Sequence, residues 1–140
     1  MSSLAHFIVL WKWDMYTADL AKGLNRFRWW EYSISSSLMI VLIAMLFGVY
    51  DTISLIFIGA VNAAMNWFGD LMEIKNAGKP KEEVDWTPFW YGGFFGLYAW
   101  FVIFAYMLGS PGVEGAPWFV WVILGTYIFM FCTFPWTMYH

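Results

Sequence analysis

The first residues able to do chemistry form a short polar face at the start of a long apolar stretch. Arg28, Glu31 and Ser35 follow one another at spacings of three and four, so a helix would place them on one side. If that helix begins near Asn25, Glu31 lies about 9 Å along it, where a hydrocarbon core would start. Two interpretations remain open at this point. Glu31 is either an interfacial carboxylate that reaches water or pairs with Arg28, or a buried counterion for a positive charge on another helix.

A second polar face lies in the next apolar stretch. Asn62, Asn66, Asp70 and Glu73 recur at spacings of four, four and three, so one helix face carries two amides and two carboxylates. Such a face either joins helices through hydrogen bonds or borders a wet cavity or proton path.

Aromatic residues are the third candidate set. They either pack against neighbouring helices or form the wall of a pocket for a flat apolar ligand. The set consists of Trp90, Tyr91, Phe94, Trp100, Phe131 and Phe134. The motifs of soluble enzymes are absent from the sequence: there is no phosphate-binding glycine loop, no His/Cys ligand cluster and no serine-nucleophile elbow. We therefore expect neither an enzyme nor a metal site.

The composition shows where these residues must be placed. The 140 residues are 61% hydrophobic and 24% aromatic, and only 12% are charged, about half the share of a soluble domain. Seven Lys and Arg with ten Asp and Glu cannot cover so much apolar surface, which must therefore face lipid. A pI near 5.1 argues against a nucleic-acid partner.

Uncharged stretches define the membrane spans. They run over 32–50, 52–69, 86–113 and 115–140. The sequence predicts a single all-α integral membrane domain over 1–140, with full spans near 29–50, 52–72, 88–109 and 116–138. Residues 1–11 would reach only about 16 Å, so we expect a half helix there. A signal peptide is the alternative for this opening, but it lacks a basic start and a small-residue cleavage site.

The basic residues indicate an orientation. All seven precede the first full span, stand at its start, or lie between the second and third spans. They are Lys12, Lys22, Arg26, Arg28, Lys75, Lys79 and Lys81. We expect these loops and the C-terminus to be cytoplasmic in a multi-pass cell-membrane protein.

Several segments resemble the heliorhodopsin family over nearly the whole chain. Residues Phe27 to Ala44, with Arg-Trp-Trp-Glu-Tyr-Ser-Ile-Ser-Ser-Ser at 28–37, resemble the third helix of that family. Gly59 to Met65, Pro88 to Gly92 and Ala116 to Val120 resemble parts of the fourth, fifth and sixth helices, and His6 to Val9 the end of the second. Heliorhodopsins are retinal-binding light receptors with seven helices, an inverted topology and usually a homodimeric assembly. The resemblance thus implies a partial seven-helix rhodopsin-like bundle.

The resemblance also assigns roles. Glu31 matches the carboxylate that serves as counterion to the protonated retinal Schiff base, Ser36 a hydroxyl near it, and His6 a histidine of the cavity. The positions that match the lining of the retinal pocket are Asn62, Met65, Trp90, Phe131 and Phe134.

One feature of the family has no counterpart here. Its retinal is attached to a lysine of the seventh helix, whereas this sequence ends at His140 and all five lysines lie in loops. Asn66, Asp70 and Cys132 also differ from the family pattern. We therefore expect a partial reading of a longer gene, or a decayed or split relative, that cannot attach retinal covalently as given.

The implied function is a heliorhodopsin-like light-sensing core that signals rather than pumps, through an unidentified cytoplasmic partner. The alternative from another class is a small four-span membrane scaffold or interaction protein without a chromophore.

Overall fold

The computed structural model describes residues 2–109 and 117–139, and this part of the chain is helical without strands. The helices are α1 (Ser2–Trp11), α2 (Trp13–Leu20), α3 (Arg26–Leu46), α4 (Thr52–Asn76), α5 (Thr87–Gly109) and α6 (Trp118–Tyr139). A 3₁₀ turn, Lys81–Glu83, lies between α4 and α5. The all-helical prediction is confirmed for these residues.

Three of these helices are long and apolar enough to cross a membrane, namely α3, α4 and α5. They correspond to the first three full spans of the sequence analysis. The fourth predicted span overlaps α6, which has 22 residues, but its assignment as a span stays a prediction. The half helix expected over 1–11 is matched in extent by α1, which has ten residues.

The segment before α3 contains a helix that the sequence analysis treated as loop. α2 follows α1 almost without a break, because the Lys12 amide donates to the Ile8 carbonyl at 2.9 Å and the Tyr16 amide to the Lys12 carbonyl at 3.0 Å. Asp14 in its first turn suits the positive end of the helix dipole. The polar residues of this segment therefore form a short helix rather than a loop.

Glycines end α2 and α3 in the same way. Gly23 and Gly48 have positive φ angles of 73° and 87°, which side chains with a Cβ rarely adopt. After α3, the Gly48 amide donates to the Met45 carbonyl and the Val49 amide to the Ala44 carbonyl, at 3.1 and 3.0 Å. This hydrogen-bond pair is a Schellman motif, and it turns the chain sharply towards α4.

Side chains cap the starts of α3 and α4. The side-chain oxygen of Asn25 accepts a hydrogen bond from the Arg28 amide at 3.3 Å, so α3 begins where the sequence placed its start. Asp51 accepts one from the Ser54 amide at 2.8 Å, and this bond holds the pKa of the Asp51 carboxyl below its usual value. The caps fix where both membrane helices begin.

Small residues let α3, α4 and α5 pack closely. A Cβ on Gly59 of α4 would stand 3.3 Å from Val41 of α3, and one on Gly92 of α5 would stand 3.0 Å from Phe68 of α4. A residue without a side chain at each of these positions allows the helices to approach closely. The residues buried between the helices include Ile40, Ala44 and Ile58, whereas large apolar side chains such as Leu42 and Ile53 remain exposed on the outer faces. An apolar exterior of this kind suits a lipid environment.

The chain divides into two compact units, residues 1–106 and 107–140. Helices α1 to α4 and nearly all of α5 belong to the first unit, and α6 belongs to the second. All the contacts described below lie within the first unit.

Candidate functional site

A cavity of about 330 Å³ lies beside the first turns of α3. Its polar lining comes from α1, α2 and the start of α3, and its remaining lining is apolar. The lining residues are His6, Ile8, Val9, Tyr16, Asn25, Phe27, Arg28, Trp30, Glu31 and Ile34. His6 and Glu31, which the resemblance places in the same functional site, therefore border one cavity.

Arg28 pairs with a carboxylate on a different helix. One guanidinium nitrogen of Arg28 lies 3.5 Å from Oε1 of Glu73, near the end of α4. The other oxygen of Glu73 accepts a hydrogen bond of 2.6 Å from Nε1 of Trp29. Because α3 and α4 run in opposite directions, the basic start of α3 meets the acidic end of α4. Arg28 and Glu73 thus form an ion pair between helices.

The indole of Trp29 completes this contact. Trp29 is 4% exposed, and its ring lies so close to Gly69 that a Cβ at that position would collide with it. The Arg28 guanidinium stands 5.2 Å from the centre of the same ring, within the range of a cation–π interaction. We call Arg28, Trp29, Gly69 and Glu73 the clamp. Gly69 could have been noticed in the sequence as a small residue one turn before Glu73.

A second polar group joins α3 and α4 deeper in the bundle. The amide nitrogen of Asn62 donates to the hydroxyls of Ser36 and Ser37 at 2.7 and 3.2 Å. That of Asn66 donates to Ser36 at 3.0 Å and to the Asn62 carbonyl at 2.9 Å. We call Ser36, Ser37, Asn62 and Asn66 the seam. Its two asparagines are buried, with exposures of 2% and 7%.

The hydroxyl of Ser36 uses its full hydrogen-bonding capacity in the seam. It donates to the Tyr32 carbonyl at 2.6 Å and accepts from both asparagines. A hydroxyl has one donor and two acceptor positions, so all three are filled. The first interpretation of the second polar face, hydrogen bonds that join helices, therefore describes Asn62 and Asn66.

Asp70 and Glu73, the two carboxylates of that face, have different surroundings from the asparagines. Glu73 belongs to the clamp, whereas Oδ1 of Asp70 is buried and has no hydrogen-bond partner among the described residues. The regular spacing predicted one helix face for all four side chains, but their partners differ with depth.

The structure therefore brings the candidate residues together in two groups rather than one. His6 and Glu31 border the cavity, and Ser36 and Asn62 meet in the seam. Glu31 and Ser36 are five residues apart, which is about 140° around a helix, so they leave α3 in different directions.

The other candidates fall outside both groups. Met65 on α4 is half-buried, and Trp90 on α5 is 71% exposed; neither lines the cavity. The side chains of Phe131 and Phe134 lie outside the described part of the structure. Their assignment to the retinal pocket stays a prediction.

The connection between α4 and α5 is held by polar contacts as well. Nζ of Lys75 lies 2.6 Å from Oδ2 of Asp85, and this cation keeps the pKa of the Asp85 carboxyl well below its usual value. The side chain of Asn76 accepts a hydrogen bond from the Asp85 amide at 2.8 Å and donates one to the Asp85 carbonyl at 3.0 Å. The connection therefore has a fixed geometry where α4 ends.

The heliorhodopsin family model matches residues 1–140, the whole chain. The chain belongs to the heliorhodopsin family. No curated protein matches it. As a heliorhodopsin it is a rhodopsin-like, light-sensing membrane protein, and retinal is the cofactor of the intact family.

The family assignment bears on the two groups of polar residues, those that border the cavity and those that form the seam. This heliorhodopsin has a carboxylate and a histidine around open space on one side of α3, and hydrogen-bonded amides and hydroxyls on another. The first arrangement borders the cavity of about 330 Å³, which offers room for a ligand.

Proposed function

We propose that this heliorhodopsin is the core of a light receptor in which Glu31 is the counterion of retinal. The observation that carries the proposal is the cavity, because it combines the Glu31 carboxylate and His6 with apolar walls from Val9 and Ile34. A chromophore with one cationic end on an apolar body needs both kinds of lining. When bound, retinal supplies the absorption of light.

The residues of the cavity fit the cationic end of the chromophore. An anion at Glu31 stabilises a positive charge in a medium of low dielectric constant, where an isolated charge is costly. His6 borders the same cavity and adds a second polar side chain to its lining. Glu31 therefore balances the positive charge of the chromophore, and Val9 and Ile34 supply apolar lining for its body.

Attachment of the chromophore requires an amine. Among the described residues that line the cavity there is no lysine. We propose that the amine comes from a helix encoded outside these 140 residues. Reading the coding DNA beyond both ends tests this directly: an in-frame helix with a mid-span lysine supports it, and its absence from the gene would contradict it in favour of a scaffold without a chromophore.

We propose further that the basic ends of α3 and α4 face the cytoplasm and that the protein signals there rather than pumping ions. Support comes from the clamp, which joins the ends that carry Arg28 and Lys75 and so places these charges on one side. We expect the intact protein to be a homodimer with a cytoplasmic signalling partner.

The proposal is tested on the complete protein reconstituted with retinal. We expect a visible absorption band, and we expect Glu31→Gln to move its maximum to longer wavelength, because the anion that stabilises the ground-state cation has been removed. Asp14→Asn, which neutralises a carboxylate of α2 outside the cavity lining, is the matched control and should leave the maximum in place. An unchanged maximum in Glu31→Gln would remove Glu31 from the counterion role.

A further inference from the structure

Arg28 stands between two carboxylates. Glu31 lies three residues further along α3, and both side chains line the same cavity. Glu73 belongs to α4, and its Oε1 lies 3.5 Å from the Arg28 guanidinium. The position taken by the Arg28 guanidinium therefore affects the electrostatic potential at Glu31.

Glu73 is fixed more firmly than an ordinary surface carboxylate. Its Oε2 accepts the 2.6 Å hydrogen bond from Trp29, and the Trp29 ring is packed against Gly69 with no space for a larger residue. The Glu73 side chain is 20% exposed, whereas that of Arg28 is 42% exposed. Glu73 is thus the better-packed member of the ion pair, and Arg28 is the more exposed member.

The ring of Trp29 adds a second attraction on the same side. The Arg28 guanidinium lies 5.2 Å from the ring centre, so the indole attracts the cation with its face and binds Glu73 through its N–H group. Both contacts favour a position of Arg28 beside α4.

We propose that Glu73 is a positioning residue that holds Arg28 beside α4 and so preserves the negative charge of the cavity at Glu31. The inference rests on the proposed counterion role of Glu31. Arg28, Glu31 and Glu73 together carry one net negative charge, whereas without the charge of Glu73 they would be neutral. An arginine released from Glu73 would then offset Glu31 across the short i, i+3 spacing.

The first experiment needs no chromophore. The 140-residue chain is purified in lipid bicelles, and the coupling between Arg28→Gln and Glu31→Gln is measured from unfolding equilibria in a double-mutant cycle. The cycle is then repeated in a Glu73→Gln background. We expect the coupling constant between Arg28 and Glu31 to rise about threefold there, as for a newly formed ion pair. The amide oxygen introduced by Glu73→Gln can still accept the Trp29 hydrogen bond, so the helix contact is retained.

Trp29→Phe is the control for a purely structural role. It removes the hydrogen bond to Glu73 but no formal charge, so it should change the Arg28–Glu31 coupling much less than Glu73→Gln does. Equal coupling in the wild-type and Glu73→Gln backgrounds, or an equal rise in the Trp29→Phe background, would overturn the proposal.

The second experiment uses the complete protein with retinal. Glu73→Gln should move the absorption maximum in the same direction as Glu31→Gln but by less, and Trp29→Phe should leave it nearly unchanged. A wild-type protein without any band contradicts the counterion proposal itself. The double-mutant cycle does not depend on retinal, so it still tests whether Glu73 positions Arg28. Failure of the counterion proposal can therefore be distinguished from failure of the positioning proposal.

Discussion

The two sides of α3 use polar residues in opposite ways. The seam contains neutral groups that form hydrogen bonds with one another and with the helix backbone, and its asparagines are buried. The cavity side contains charged and titratable groups, Arg28, Glu31 and His6, around open space. A polar side chain within the membrane is therefore not a functional site by itself. The seam residues use their hydrogen bonds to join helices, whereas side chains that line a cavity can contact a ligand.

The clamp shares one feature with each of these two regions. Trp29 and Gly69 bring α3 and α4 together as the seam does, whereas Arg28 also lines the cavity. The packing of Trp29 against Gly69 and the hydrogen bonds of the seam occur at one rotation of α3, in which Glu31 lines the cavity and Ser36 bonds to α4.

The largest expected effect concerns the spectrum of the retinal-loaded complete protein. Glu31→Gln should shift the absorption maximum much further than Ser36→Ala, because Glu31 carries a charge at the cavity and Ser36 is saturated within the seam. Spectra of both variants at the same pH measure the difference. Equal shifts in the two variants would contradict the distinction between the cavity and the seam, since the seam would then be part of the chromophore site.

The next effect is on stability at the clamp. Gly69→Ala should lower the free energy of unfolding by about 1–3 kcal/mol, because the added methyl collides with the Trp29 ring. Gly93→Ala is the matched control, since a Cβ there meets nothing within 4 Å and alanine favours a helix. Unfolding by SDS titration compares the two. Equal free energies in both variants would show that the clamp does not fix α3.

A smaller effect separates two neighbouring serines. Ser36→Ala removes the acceptor of both seam asparagines and should cost about 1 kcal/mol, within the range of hydrogen bonds between membrane helices. Ser35→Ala removes only a hydroxyl that donates to the Glu31 carbonyl of its own helix, and it should cost nearly nothing. The same unfolding assay applies. A greater loss in Ser35→Ala than in Ser36→Ala would contradict the assignment of the seam as a stabilising contact.

The smallest effect lies outside both regions, at the connection between α4 and α5. Lys75 lowers the pKa of Asp85, so the ionised carboxylate stabilises the fold above its unfolded pKa near 3.8 and the contribution is lost as the pH falls below that value. Asp85→Asn should remove this acid dependence and leave the absorption maximum unchanged. It is measured by unfolding at about pH 3 and pH 7, on either side of that pKa, and a steeper dependence in the variant would contradict the assignment.

Much of the fold was predictable because its signals are local. Uncharged stretches located α3, α4 and α5, and α3 begins beside Asn25, where the sequence placed its start. The helix α2 was missed, because its polar residues lie in a segment that the charge pattern separates from the spans.

The candidate site was predictable in part. The resemblance associated Glu31 with His6, and the structure places both on one cavity. It also associated Glu31 with Ser36, but these residues leave α3 in different directions, and Ser36 bonds to α4. The pairing of Arg28 with Glu73 was not predicted, because the two residues are 45 positions apart and their contact depends on how α3 and α4 meet.

The sequence by itself determined that this protein is a helical membrane protein, because composition and charge spacing leave its apolar residues no other surroundings. It also determined the family, through the motif around Glu31. Only the tertiary structure decided which polar residues are saturated and which face open space. The physical reason is that hydrogen bonds and ion pairs between helices depend on helix rotation and close packing, as in the packing of Trp29 against Gly69 and its hydrogen bond to Glu73.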